Sequence, residues 1–123
     1  MISFESFSPH DKAPIYLQII KHIKSGIVSK TIENGDELPS RRTLSALLGI
    51  NPNTIQKAYK LLEDEGLIVS HAGAKSYMQF SDSDVERIKT DLLKLDVSSV
   101  ISSLKQMGLE KSEALSLIKT YWE

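Results

Sequence analysis

The sequence has no cysteine, a single tryptophan and no long apolar run. Without thiols there is neither a disulfide framework nor a thiolate zinc site, and the chain suits a reducing compartment. Its apolar stretches fall far short of the roughly 20 residues that cross a bilayer, so no membrane partner is expected. The first residues, Met1-Ile2-Ser3-Phe4-Glu5, lack the basic-then-apolar order of a secretory signal. A cytoplasmic location is therefore the expectation. His10, His22 and His71 are scattered along the chain without local ligand spacing, and no metal is expected. The chain also lacks a nucleophile–base constellation and a glycine-rich phosphate loop, which argues against an enzyme and against any cofactor.

What is present is ordinary globular material. The 123 residues are 41% hydrophobic and 25% charged, enough for one domain or a small domain with an appendage. The net charge of −1 argues against a nucleic-acid partner only until its distribution is considered. Residues 12–60 hold eight Lys/Arg against three acidic side chains, whereas residues 61–123 hold seven against eleven. Positive charge is thus concentrated in the first half, the pattern expected of a local electrostatic footprint.

Residues 1–13 look like an extended arm, because Ser6, Ser8, Pro9 and Asp11 break any period. Pro14 is suited to a first helical position. Ile15, Ile19, Ile20, Ile23 and Ile27 then recur at helical spacing to about Lys30, with Gln18, Lys21 and Lys24 on other faces. Glu33-Asn34-Gly35-Asp36 is a turn signal, and Glu37-Leu38 could form a short strand. Ser40 caps a helix with Leu44, Leu47 and Leu48 inside, and Gly49 stops it. Asn51 caps a third helix with Pro52 at its first position, Ile55, Ala58, Tyr59 and Leu62 inside, and Gly66 at its end. Leu67–Ser70 and Ser76–Phe80 read as a hairpin joined through Gly73.

The two short helices joined at Gly49-Ile50 have the layout of a helix-turn-helix, and the hairpin after them is placed as a wing. Asn53, Gln56, Lys57 and Lys60 lie opposite the apolar side of the third helix. Asn and Gln can pair with adenine, and Lys can reach guanine or phosphate. At the start of the second helix, Ser40, Arg41, Arg42 and Thr43 surround free backbone N–H groups that attract a phosphate. The alternatives are a merely solvated polar face and an ion pair of one arginine with Asp36 or Glu37. The acidic run Glu63-Asp64-Glu65 reads as a solvated helix end, and Tyr16 and Tyr59 as packing residues.

After Ser81 the apolar positions fall on two faces of a long helix. Val85, Ile88, Leu92 and Leu95 share the first. Leu93, Val97, Val100, Ile101, Leu104 and Met107 centre on a face rotated by more than a quarter turn, so the helix either kinks near Asp96 or serves two partners. A last short helix over Ser112–Ile118 adds Leu115, Ile118 and, beyond it, Trp122. This is much apolar surface for a free appendage, and a homodimer is expected to cover it. The alternative is a tail folded back on its own domain.

Three blocks carry a resemblance to a known family: Pro14–Ile19, Gly35–Ser45 and Asn51–Ile68. In order and spacing they resemble the winged-helix pattern of GntR-family bacterial transcription regulators, and the short two-helix tail resembles the YtrA-like subfamily. The implied fold is mainly α with a small β-hairpin: a winged helix-turn-helix DNA-binding domain over residues 1–80 and a helical dimerisation tail over residues 81–123. The resemblance implies DNA contacts by Arg42, Asn53 and Thr54, with Gln56 and Lys57 continuing that face. In the wing, Lys75 stands where the family pattern has a second glycine, and Ser70 and His71 stand where it often has basic residues, so any wing contact rests on His71 and Lys75. The implied partner is double-stranded DNA, bound as a homodimer on a palindromic operator, by a repressor of a transporter operon in the manner of its relatives. A small-molecule effector would have only a cleft between the tail and the winged helix, or the dimer seam. A protein–protein adaptor using the same surface is the alternative function.

Overall fold

The computed structural model describes residues 1–71 and 75–123, and the turn expected at Gly73 lies outside the described residues. The elements in chain order are α1 (Ile15–Ser29), β1 (Glu37–Leu38), α2 (Arg41–Leu48), α3 (Pro52–Asp64), β2 (Ile68–His71), β3 (Lys75–Met78), α4 (Asp82–Gln106) and α5 (Lys111–Tyr121). The fold is mainly helical with a small antiparallel sheet, as expected. They fall into two compact units, Met1–Lys89 and Thr90–Glu123.

In the first unit, α1 and α2 both pack on α3. The isoleucine stripe of α1 does what its spacing requires: Ile19, Ile23 and Ile27 are buried with Leu44, Ile55, Ala58, Tyr59 and Leu62. The sheet order is β1-β3-β2. Leu38 pairs with Ser76, and Ile68 to His71 run against Met78 to Lys75. Leu38, Ile68 and Met78 turn inward and close the core. Gly26 is required for contact rather than for conformation, since a Cβ there would lie 2.5 Å from Ile32 Cδ1.

Several expectations need correction. Residues 1–13 form neither helix nor strand, in keeping with an arm, but the arm is docked: Ile2 and Phe4 are buried, and the Ile2 N–H donates to the Glu37 carbonyl at 2.9 Å. Apolar side chains in an irregular segment have no period to reveal that they are core. Gln18 is buried instead of lying on an outer face. Its amide donates to the His10 and Ala13 carbonyls at 2.8 and 2.7 Å and its oxygen accepts from the His10 N–H, which fixes the chain entering α1. Pro14 stands just before α1 as its cap position. Leu47 is 67% exposed, because α2 is only eight residues long and buries little beyond Leu44. The run Glu63-Asp64-Glu65 is engaged, not simply solvated: Glu63 accepts from Ser70, Asp64 from Lys60 and Glu65 from Lys24.

Helix α4 starts with a reciprocal cap. The Asp84 N–H donates to Ser81 Oγ at 3.2 Å, and the Ser81 N–H donates to the Asp84 carboxylate at 2.9 Å. The helix runs to Gln106 without interruption at Asp96, so its two apolar faces belong to one continuous element. Of the first face only Ile88 is buried, and Leu95 is exposed.

In the second unit, Gly108 at φ 82° turns the chain, and a capping box between Glu110 and Glu113 opens α5. The last helix is longer than expected at both ends. Val97, Val100, Ile101, Leu115 and Ile118 are all more than 40% exposed. With Leu104 and Ala114 they line a cleft of about 790 Å³ between the end of α4 and α5. No helix among the described residues is long and apolar enough to cross a membrane.

Candidate nucleic-acid interface

The candidate interface is built from the start of α2, the turn after it and the outer face of α3. Ser40 Oγ accepts the Thr43 N–H at 3.0 Å and its hydroxyl lies 2.8 Å from Thr43 Oγ1, so both residues are committed to the helix start. Arg42 is exposed, whereas Arg41 is half-buried. The Arg41 guanidinium carbon lies 5.2 Å from the Tyr59 ring centroid, and its Nε is shielded without a partner among the described residues. Neither arginine is paired with Asp36, whose carboxylate accepts the Glu33 N–H at 2.8 Å instead.

Tyr59 connects the two helices. Its ring is fully buried and its hydroxyl donates to the Pro39 carbonyl at 2.7 Å, immediately before the α2 cap. Burial drives the Tyr59 pKa well above its ordinary value, and the neighbouring Arg41 charge offsets this only in part. Between the helices, Gly49 adopts φ 66°, and the Ile50 N–H donates to the Ser45 carbonyl. The Ser45 hydroxyl donates to the Ile50 carbonyl. These bonds hold the turn in one geometry.

Asn51 caps α3 by accepting the Asn53 N–H at 2.8 Å. Its carbonyl oxygen is used in this way, which leaves the amide N–H group for other acceptors. Asn53, Gln56, Lys57 and Lys60 are exposed along one side of α3, and Thr54 is half-buried beside them. Lys60 pairs with Asp64 at 2.8 Å, and that hydrogen bond and charge hold its pKa up. Among the described residues Lys57 has no such partner; its Nζ lies 4.0 Å from the Tyr16 ring centroid. At the sheet, His71 and Lys75 are exposed and directly opposite each other in the β2–β3 register, with the His71 ring edge-on to Tyr77.

Sequence reasoning missed the two tyrosines as organisers. Tyr16 and Tyr59 were legible only as packing residues. What pairs them with Lys57 and Arg41 is the packing of three helices, and no local spacing encodes that.

The family model "Bacterial regulatory proteins, gntR family" matches residues 15–77. This chain belongs to the gntR family. Among curated relatives, the transcriptional regulator YhcF of Bacillus subtilis is 34% identical over 89% of this chain and 91% of its own. The transcriptional repressor YtrA of the same organism is 37% identical over 83% of this chain and 74% of its own. These relatives place the chain in the YtrA-like group. A GntR-family transcriptional regulator from Listeria monocytogenes has a similar solved structure, with a TM-score of 0.77, 34% identity, and coverage of 91% of this chain and 98% of that one. The DNA-binding domain of AraR in complex with operator ORX1 is also similar, at a TM-score of 0.50 and 27% identity over 58% of this chain and 88% of that one. The gntR chain described here is thus a DNA-binding transcriptional regulator with a winged helix-turn-helix fold.

Proposed function

We propose that this chain is a cytoplasmic, sequence-specific repressor that binds a palindromic operator as a homodimer and controls a transporter operon. The winged helix-turn-helix of residues 1–80 reads DNA and residues 81–123 pair two copies. The observation that carries the DNA-reading part is the outer face of α3: Asn53, Gln56, Lys57 and Lys60 are exposed on a helix whose opposite side is core. A major groove admits one such helix, and its base edges offer the acceptors and donors these side chains match. Arg42, exposed at the start of α2 beside the capped Ser40 and Thr43, is the phosphate anchor. Arg41 assists from its seat on Tyr59, and the exposed His71 and Lys75, opposite each other in the β2–β3 register, add the wing contact.

The exposed apolar cleft between α4 and α5 supports the pairing role. Val97, Val100, Ile101, Leu104, Met107, Leu115, Ile118 and Trp122 supply the surface. A twofold interface is self-complementary, and two copies then meet two half-sites about one helical turn (~34 Å) apart. The relative YtrA, described as a repressor, supports the sign of regulation.

The test is binding of the full chain to the DNA upstream of its own gene, measured against salt. The expected result is an affinity that falls steeply as salt rises. Arg42→Ala should weaken it strongly and reduce the log–log salt slope by about one. Equal, weak affinity for every duplex, unchanged in Arg42→Ala, would refute the proposal.

A further inference from the structure

Tyr16 lies in the first turn of α1, half-buried, with the Lys57 ammonium 4.0 Å from its ring centroid. A lysine ammonium is strongly hydrated and sits on a flexible four-carbon stem, so an exposed lysine is ordinarily spread over many rotamers. The face of an aromatic ring attracts it electrostatically. A ring consumes no formal charge, and the ammonium keeps further N–H donors free for another acceptor.

The contrast with Lys60 on the same helix sharpens the point. Lys60 is held by the Asp64 carboxylate at 2.8 Å, which compensates its charge. Lys57 is held by a neutral ring, which does not. Arg41 is also seated over a tyrosine ring, but its Nε is shielded from solvent. Lys57 is therefore both oriented and electrostatically available.

We propose that Tyr16 is a positioning residue for DNA recognition: it fixes the Lys57 ammonium at the edge of α3 so that a base or phosphate acceptor meets a pre-oriented cation. The inference rests on the assignment of the α3 outer face to DNA. Ordering a lysine costs conformational entropy, and the ring removes part of that cost before DNA arrives. Tyr16 so acts through Lys57 and need not touch DNA itself.

The experiment uses the full chain and a duplex selected by it from a random-sequence pool. Tyr16→Leu should weaken binding by about 2- to 5-fold while leaving the salt slope intact, because the Lys57 charge remains. Tyr16→Phe, which keeps the ring, should bind as the wild type does. In a Lys57→Met background, Tyr16→Leu should add no further weakening. The Lys57 ε-methylene protons should show an upfield ring-current shift in the unmodified free protein, a readout that does not depend on any variant folding. Additive losses in the double variant, loss of binding in Tyr16→Phe, or the absence of the ring-current shift would each overturn the proposal. If Lys57→Met itself bound normally, the α3 assignment would fail instead, and the two failures are distinguishable.

Discussion

Replacing Tyr59 with phenylalanine tests the joint between the two DNA-facing helices. The ring is fully buried, and its hydroxyl donates to the buried Pro39 carbonyl at 2.7 Å. Tyr59→Phe keeps the packing but leaves that carbonyl without its partner. Stranding a buried polar group costs about 1–2 kcal/mol. In a domain of this size that lowers Tm by roughly 5–15 °C. A second signature comes from pH. Burial raises the Tyr59 pKa in the folded state above its ordinary value of 10.0. Above pH 10 the unfolded chain therefore releases a proton that the folded chain keeps. The unfolded state then binds fewer protons, so stability falls as pH rises, by about 1.4 kcal/mol per unit for this one group. Below pH 10 the contribution is fully present. Phenylalanine has no proton to lose, so the advantage of the wild type should shrink above pH 10 and vanish roughly one unit higher. Titrations common to both proteins cancel in the difference. The assay is urea unfolding of both proteins at pH 7 and at intervals up to about pH 11, with the midpoint shift read at constant m. Equal midpoints at pH 7, or a gap that stays constant with pH, would refute this account of Tyr59.

Ser40→Ala removes the oxygen that accepts the Thr43 N–H, and thermal unfolding should report a loss of about 1 kcal/mol; an unchanged Tm would show that the α2 start does not depend on its cap. At the start of α4, the hydrogen bond from the Ser81 N–H, with help from Arg87, holds the Asp84 carboxyl below its ordinary 3.8. Its folded pKa is depressed, so its stabilisation is present above about pH 4 and lost as pH falls through the folded value. Circular dichroism should show helix loss on acidification that is steeper in the wild type than in Asp84→Asn, and equal slopes would exonerate this carboxylate. The double change Leu104→Asp, Ile118→Asp puts charge into the exposed tail cleft. It should halve the sedimentation mass from two chains to one, whereas an unaltered mass would remove the tail from the pairing surface.

The sequence was most informative where one side of an element is core. Ile19, Ile23 and Ile27 of α1 and the set Ile55, Ala58, Tyr59 and Leu62 of α3 are buried as their spacing requires, while Ile15 and Ile20 are half-buried. The caps at Ser40 and Asn51 were equally legible, because short polar side chains before a helix have few other uses. Even the two-residue strand Glu37–Leu38 was visible between a turn and a proline. What stayed hidden depends on tertiary neighbours. Ile2 and Phe4 sit in a segment without regular structure, so no period marks them as core. Phe4 also stacks on His22, midway along α1, with ring centroids 4.6 Å apart. Gln18 is polar on a helix, yet it is buried where its side-chain amide donates to the carbonyls of His10 and Ala13 in the segment before α1. At the candidate interface the exposed residues were identifiable, but their differences were not. Lys57 on a ring, Lys60 on a carboxylate and Arg41 half-buried look alike in a basic, polar stretch.

The central claim is that two copies of the α3 face read DNA in a fixed twofold arrangement. Its most direct measurement is selection of duplexes from a random-sequence pool by the full chain, followed by sequencing of what is retained. The account predicts one enriched motif with dyad symmetry and half-site centres about one helical turn (~34 Å) apart. A pool that stays random, or an enriched motif with a single asymmetric half-site, would contradict it.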